Sequence, residues 1–290
     1  MGNLEETTRY IMKKYGISAN KSLGQNFLIN QEVVDNIVNS SNVCEDDLVI
    51  EIGPGLGTLT ESLLDKAGRV VAIELDDRMI KILNERFVAY KNFEVINKDV
   101  LKINLSELIE REKSEHRLKH AKIVANLPYY ITTPIIMKLL EEELDIESIT
   151  VMIQKEVADR LIATPGENHS GAITYSVYYY AESEGVMIVD NNSFIPEPEV
   201  QSEVIKLKIR KTPAVELTDK NLFFKIIKAS FMQRRKTLIN ALVNGGILKD
   251  KSEAKELFER LGFDLNTRGE TLSMEEFVRL SEEIQQRGRF

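Results

Sequence analysis

The stretch Ala125-Asn126-Leu127-Pro128-Tyr129-Tyr130 brings a side-chain carbonyl, a stiffened backbone and an aromatic face together within a few positions. A pocket for a planar base requires that set, and the chemistry it suits is methyl transfer to an exocyclic amino group. An adenine N6 is a poor nucleophile because its lone pair is delocalised into the ring. If the amide oxygen of Asn126 and the backbone carbonyl of Leu127 accept its two N–H bonds, the nitrogen can become tetrahedral and recover that pair. Such bonds strengthen as positive charge develops on nitrogen, so they favour the transition state over the ground state, and no general base is needed before attack. Pro128 has no N–H and a fixed φ that steadies the carbonyl before it. Tyr129 offers a ring on which an unstacked base can lie. The same residues also suit an ordinary strand-to-helix turn in which Pro128 starts the helix and the tyrosines pack.

A second group is Glu51-Ile52-Gly53-Pro54-Gly55-Leu56-Gly57-Thr58. Glycines after an apolar run permit a tight turn and close approach of backbone to a ligand. A dinucleotide fingerprint would put its third glycine at position 58, where Thr58 stands. The glycine comes one residue earlier, a spacing that looks like the first motif of S-adenosylmethionine-dependent methyltransferases. Glu74 follows about twenty residues on, where a carboxylate can accept both ribose hydroxyls. Asp76 and Asp77 come next, and capping the following helix is the other role open to these acids; Glu74 is the one assigned to ribose. Asp99, in Asn97-Lys98-Asp99-Val100, is placed to accept from an adenine amino group or is a plain loop acid.

These groups need elements to hold them. Short apolar runs at 48–52, 70–74, 93–97, 121–125 and 148–153 alternate with helix-compatible stretches, which predicts parallel strands in a doubly wound sheet. Glycine loop, acid, acid and Asn-Leu-Pro-Tyr then follow strands one, two, three and four in sequence. In open α/β sheets ligands bind at those carboxyl ends. Residues 185–190 and 203–209 predict a strand pair closing the sheet antiparallel, and 21–28 a loop packed onto the core. Pro213 marks a boundary between a domain of residues 1–212 and one of residues 213–290. Helical patterns at 222–231, 235–243, 252–261 and 274–285 fill the second.

With 290 residues, 43% of them hydrophobic and 29% charged, the composition is that of a globular α/β protein with a smaller second domain. No apolar run reaches the length of a membrane span. Residues 1–15 mix acids and bases without the apolar core of a signal peptide, so a cytoplasmic location is expected. Cys44 is the only cysteine, which excludes an internal disulfide and a cysteine-rich zinc site. His116, His120 and His169 are too scattered to suggest a metal or a triad. The net charge of −8 hides an asymmetry: residues 1–205 hold 20 Lys+Arg against 34 Asp+Glu, a balance of −14, and residues 206–290 hold 18 against 12, a balance of +6. Between positions 221 and 244 stand Lys225, Lys228, Arg234, Arg235 and Lys236 with no acid. Lys206, Lys208, Arg210 and Lys211 lie nearby in sequence. Such a face is either merely solvated or holds phosphate; the missing acids favour RNA.

Over almost its whole length the chain resembles the ribosomal RNA adenine N6-dimethyltransferase family. The resemblance rests on Gly24-Gln25-Asn26-Phe27-Leu28, the loop 51–60, Glu74, Asp99, Asn126 to Tyr129, Gln154-Lys155-Glu156 and Phe194-Ile195-Pro196-Glu197-Pro198-Glu199-Val200-Gln201-Ser202. It implies a class I S-adenosylmethionine-dependent methyltransferase fold, α/β and Rossmann-like with a seven-stranded mostly parallel sheet, followed by a small all-helical domain. It implies cofactor contacts from Asn26, Leu28, Gly53, Glu74, Asp99 and Asn126, with Tyr129 and Phe194 sandwiching the target base. Pro196 and Pro198 could stiffen a loop that holds the Phe194 ring at the pocket mouth, although that ring also suits a core plug. The implied substrate is a pair of adjacent adenosines near the 3′ end of 16S rRNA in the immature 30S subunit, dimethylated at N6 by a monomer that uses S-adenosylmethionine and neither metal nor membrane. Gly24 and Leu127 favour this branch over the macrolide-resistance branch that modifies 23S rRNA, which carries serine and isoleucine there. A non-catalytic assembly or transcription factor on the same fold is the third reading, opposed by the intact Asn126 to Tyr129 motif. Residues 163–171 contain no lysine or arginine, a departure from the more basic loop associated with the family.

Overall fold

The computed structural model describes residues 3–20, 24–167, 169–233 and 236–288. The chain opens with α1 (Leu4–Tyr15), β1 (Phe27–Leu28) and α2 (Gln31–Ser40). Strands and helices then alternate: β2 (Asp47–Ile52), α3 (Thr58–Leu64), β3 (Arg69–Glu74), α4 (Asp77–Arg86), β4 (Phe93–Asn97), α5 (Leu105–His116), β5 (His120–Asn126), α6 (Thr132–Glu141) and β6 (Ser148–Gln154). After α7 (Lys155–Ile162) and α8 (Ala172–Tyr180) come β7 (Ala181–Val189), β8 (Phe194–Ile195) and β9 (Ser202–Ile209). The chain ends in α9 (Lys220–Phe231), α10 (Leu238–Asn244), α11 (Lys251–Leu261) and α12 (Met274–Gln286).

Every residue of β2 and β3 is buried, as strands covered by helices on both faces require. Seven strands form the main sheet in the order β4-β3-β2-β5-β6-β9-β7. The pairs β3–β4, β2–β3, β2–β5 and β5–β6 are parallel, and β9 joins β6 antiparallel. The sequence anticipates the two closing strands but not their order, since β9 inserts between β6 and the earlier β7. A separate two-stranded sheet pairs β1 with β8 antiparallel, Phe27 opposite Ile195 and Leu28 opposite Phe194. The 21–28 segment therefore contains a strand where a loop was expected.

The chain divides into two compact units, Met1–Ala158 with Ser183–Ile209, and Asp159–Glu182 with Arg210–Phe290. The single boundary expected at position 212 thus differs from this division, because residues 159–182 group with the carboxyl-terminal helices. Tyr175 supplies the physical reason. Fully buried in α8, it sits with its ring 4.9 Å from that of Phe277 and 5.5 Å from that of Phe231, and its hydroxyl donates to the carbonyl of Leu272. Phe223, Phe258 and Phe277 are also fully buried and centre this second core. In the first unit an apolar cluster runs from Ile11 through the helices beside β2 and β3 to Val204. Among the described residues no helix is long and apolar enough to cross a membrane.

Candidate functional site

Strand register explains why the motifs meet. Ile52 lies opposite Ile73, Glu74 opposite Asn97, Glu51 opposite Val124 and Asn126 opposite Met152, so the segments after four strands leave the sheet at one level. They open onto a cleft of about 1050 Å³, counting the space open to solvent. Asn26, Leu28, Gly53, Glu74, Asp99, Asn126, Leu127, Pro128 and Tyr129 all line it.

The glycine turn is shaped by its backbone. Gly53, Gly55 and Gly57 have φ of 68°, 57° and 83°, a region in which side chains are strained. At Gly57 space is lacking as well, since a Cβ would fall 2.6 Å from the ring of Phe87. The N–H of Gly57 donates to the Pro54 carbonyl at 2.9 Å, and that of Gly53 to Ile73 at 3.0 Å. Arg86, at the end of α4, donates to the Leu56 carbonyl and, at 2.8 Å, to Glu61. No sequence pattern singles Arg86 out, because its role depends on a turn thirty residues away.

Glu74 is 7% exposed. One carboxylate oxygen accepts the N–H groups of Leu75 and Asp76, each at 2.8 Å, and the other accepts that of Gly55 at 3.2 Å. Burial raises its pKa, while these N–H groups pull it back down. The side chain is thus aimed by backbone on two sides. Asp76 takes the capping role instead, accepting from the N–H of Arg78 at 3.0 Å. The Arg78 guanidinium holds its carboxyl below the usual range. Asp76 also accepts from the side-chain amide of Gln25 at 3.0 Å, and Gln25 in turn accepts from the N–H of Asn20 at 2.9 Å. The Gly24 to Leu28 segment is thereby tied to the acid pair after β3, a role for Gln25 that its neighbours in sequence do not reveal. Asp99 caps the short helical turn Val100–Lys102, accepting from the N–H of Leu101 at 3.0 Å. Under the glycine turn, Glu51 is 1% exposed and accepts from the Thr60 hydroxyl at 2.6 Å. Burial pushes its pKa up to about 8.

At the end of β5, the Asn126 amide nitrogen donates to the Asn26 carbonyl at 3.4 Å, which directs its oxygen away from that contact. The N–H of Leu127 donates to the Met152 carbonyl at 3.1 Å. The carbonyl of Pro128 accepts from the N–H of Ile131 at 3.3 Å and the hydroxyl of Thr132 at 3.0 Å. The Leu127 carbonyl lies in the chain between these bonded groups. Tyr129 is half-buried, its hydroxyl 2.6 Å from Ser202 Oγ. Burial raises its pKa.

Phe194 departs from its expected place at the pocket mouth. It is 1% exposed and packs in the core cluster with Val33, Val189 and Val204. Its cross-strand partner Leu28 lines the cleft, whereas Phe194 does not. The N–H of Ile29 donates to the Ser193 carbonyl at 2.8 Å, and the Asn30 amide lies 3.2 Å from the Ser193 hydroxyl; together these hold β8 in the fold. Burying such a ring stabilises by about 1.5–3 kcal/mol, which the mouth position would forfeit. The Phe194 side chain is therefore buried in the core beside Leu28.

In the second unit α9 buries Leu222, Phe223, Ile226, Ile227 and Ala229. Lys225 and Lys228 are exposed on its other side, as is Lys236 beyond it. Arg234 and Arg235 lie outside the described residues. Lys206 donates to the Ser40 carbonyl at 2.7 Å, and Arg210 pairs with Glu182 at 3.0 Å, so these two bases have structural partners. Among the described residues no group of three or more His, Cys, Asp and Glu side chains could hold a metal ion.

Residues 16–286 match the family model described as ribosomal RNA adenine dimethylase. The chain is 49% identical over 270 residues to "Ribosomal RNA small subunit methyltransferase A" of Alkaliphilus oremlandii, with 93% of each chain covered. It is 48% identical over 282 residues to the protein of the same name from Bacillus pumilus, covering 96% of this chain and 95% of that one. Among solved structures, a dimethyladenosine transferase from Plasmodium falciparum superposes with a TM-score of 0.72 at 27% identity, covering 90% of this chain and 98% of that one. The 23S rRNA methyltransferase ErmE superposes with a TM-score of 0.66 at 25% identity, covering 90% of this chain and 100% of that one.

Proposed function

The chain belongs to the ribosomal RNA adenine dimethylase family, and we propose from that premise that its cleft dimethylates N6 of two adjacent adenosines near the 3′ end of 16S rRNA, with the immature 30S subunit as substrate and the protein acting as a cytoplasmic monomer. The observation that carries the reading is the Asn126 amide, fixed at the cleft beside the Leu127 carbonyl and across from the glycine turn.

The cofactor of this family is S-adenosylmethionine, which when bound supplies an electrophilic methyl on a positively charged sulfur. The cleft fits it. Glycines without side chains leave room for close approach, Glu74 offers a fixed acceptor for ribose hydroxyls, and Leu28, Ile73 and Val100 supply apolar wall. Asn26, Leu28, Gly53, Glu74 and Asp99 would hold it.

Asn126 Oδ1 and the Leu127 carbonyl accept the two N6 hydrogens of the flipped adenine. Their attraction grows as nitrogen becomes positive, and because both are anchored beforehand little reorganisation is needed. Pro128 keeps the second acceptor in place, and Tyr129 gives the base a ring to stack on, tethered through Ser202. After the first transfer nitrogen sheds a proton to solvent. On the second round it presents one N–H, so one of the two acceptors goes unused. Lys225, Lys228, Arg234, Arg235 and Lys236 hold RNA phosphate by charge.

Incubation with tritiated cofactor and undermethylated 30S subunits tests the reading. Label should enter 16S rRNA as dimethyladenosine. Label confined to 23S rRNA, or none, refutes it.

A further inference from the structure

The two tyrosines that end the substrate motif are held differently. Tyr129 is fastened to Ser202. Tyr130 is 52% exposed and also lines the cleft. Its ring leans on Gly24, where a Cβ would come within 3.2 Å of Tyr130 Cδ1. Gly24 is itself at φ 59° and begins the segment whose next residue, Gln25, is bound to Asp76. The phenol of Tyr130 feels the negative charges of Asp99 and Glu74, which together with partial burial raise its pKa, burial contributing most. Its surroundings are thus the segment and the acids assigned above to the cofactor. The Tyr129 hydroxyl is instead engaged by Ser202 of β9.

A large aromatic with an apolar face and a polar tip, left half open at the rim of a cleft, is suited to cover a bound planar group. The neighbours decide which group. The phenol hydroxyl can donate toward the carboxylates that hold the nucleoside, and the ring sits against backbone that no side chain screens. On the reading of the cleft as a methyl-donor site, we propose that Tyr130 is a cofactor-binding residue supplied by the substrate motif, its ring covering the nucleoside end of S-adenosylmethionine between Gly24 and the Glu74 and Asp99 carboxylates. The motif then serves both reactants. Asn126 to Tyr129 take the base, and the residue after them closes the donor pocket.

The test is calorimetric titration of S-adenosylmethionine and of S-adenosylhomocysteine into wild type, Tyr130→Phe and Tyr130→Ala in the absence of RNA, beside steady-state KM for undermethylated 30S subunits. Tyr130→Ala should weaken both cofactor forms about tenfold and leave KM for the subunit little changed. Tyr130→Phe should recover most of that loss, because the ring face supplies the contact. Unchanged cofactor affinity in Tyr130→Ala overturns the proposal, and if KM for the subunit rises instead, the ring belongs to RNA. Thermal melts accompany each variant, and Tyr130→Leu replaces the alanine variant should that one melt early. Failure of the wild type to bind cofactor at all would refute the underlying methyl-donor reading rather than the place of Tyr130 within it.

Discussion

In the cleft, Glu74 takes three backbone N–H bonds while almost wholly buried, the Asn126 amide donates to the Asn26 carbonyl, and the Leu127 N–H is bonded to Met152. On α9 and in the segment beyond it, Lys228 and Lys236 stand exposed to solvent. On the proposed reading both regions meet the same RNA, one working through placement and the other through charge. Buried, preorganised dipoles act at full strength over short distances. Exposed cations act over about a Debye length, each adds little, and salt weakens them all. A single substitution should therefore be severe in the first region and graded in the second.

The sharpest way to break this contrast is Asn126→Ala. Loss of one preorganised acceptor should lower single-turnover methylation by a factor of about 10² to 10³ with RNA binding intact. Loss of RNA binding too would make the residue structural. Next is Glu74→Gln, where weakening hydrogen bonds to a charged acceptor costs about 1.5–3 kcal/mol. Cofactor Kd should rise about 10- to 100-fold with the salt slope for RNA unchanged.

Glu51 sharpens the comparison through pH. Its pKa is raised by burial from 4.5 to about 8 in the folded protein, so between those values the folded state keeps a proton that the unfolded chain has released. Stability is therefore greatest near the lower value and falls as pH rises through the window, by about 1.4 kcal/mol per unit for this group alone. Thermal melts from pH 5 to pH 8 should show a steeper decline in wild type than in Glu51→Gln; parallel curves would mean the carboxyl is already ionised. The smallest effects belong to Lys228→Ala and Lys236→Ala. Each should weaken RNA binding only a few-fold and flatten the slope of log K against log salt by roughly 0.7 to 0.9. A thousandfold loss from either would erase the distinction between the regions.

Much of the first region could be read from residue order. Parallel strands are local patterns, and a motif after each of four strands has few ways to arrange itself once the sheet is parallel. That Glu74 lines the cleft was legible from spacing; that Asp76 rather than Asp77 is the cap was not. What escaped depends on distant partners. The two-residue strands β1 and β8 are too short to show a period, so the burial of Phe194 could not be told from a mouth position. Arg86 acts through a turn that only folding brings near, and Gln25 through an acid 51 residues away. The move of residues 159–182 to the second unit rests on contacts far along the chain, among them Tyr175 with the Leu272 carbonyl and Tyr179 and Tyr180 with Phe224. In the second region charge was legible from composition alone, but not which bases are spoken for: Lys206 and Arg210 look like neighbours of RNA until their bonds to Ser40 and Glu182 are seen.

The bond from Asn126 to the Asn26 carbonyl bears on how the two methylations follow one another. On the proposed reading spent donor is exchanged between rounds, and Asn26, whose carbonyl accepts from the Asn126 amide, is one of the residues proposed to hold that donor. Exchange of one reactant would then loosen the hold on the other, which favours a distributive course: half-modified RNA is let go and recaptured, and monomethyladenosine accumulates early in the time course.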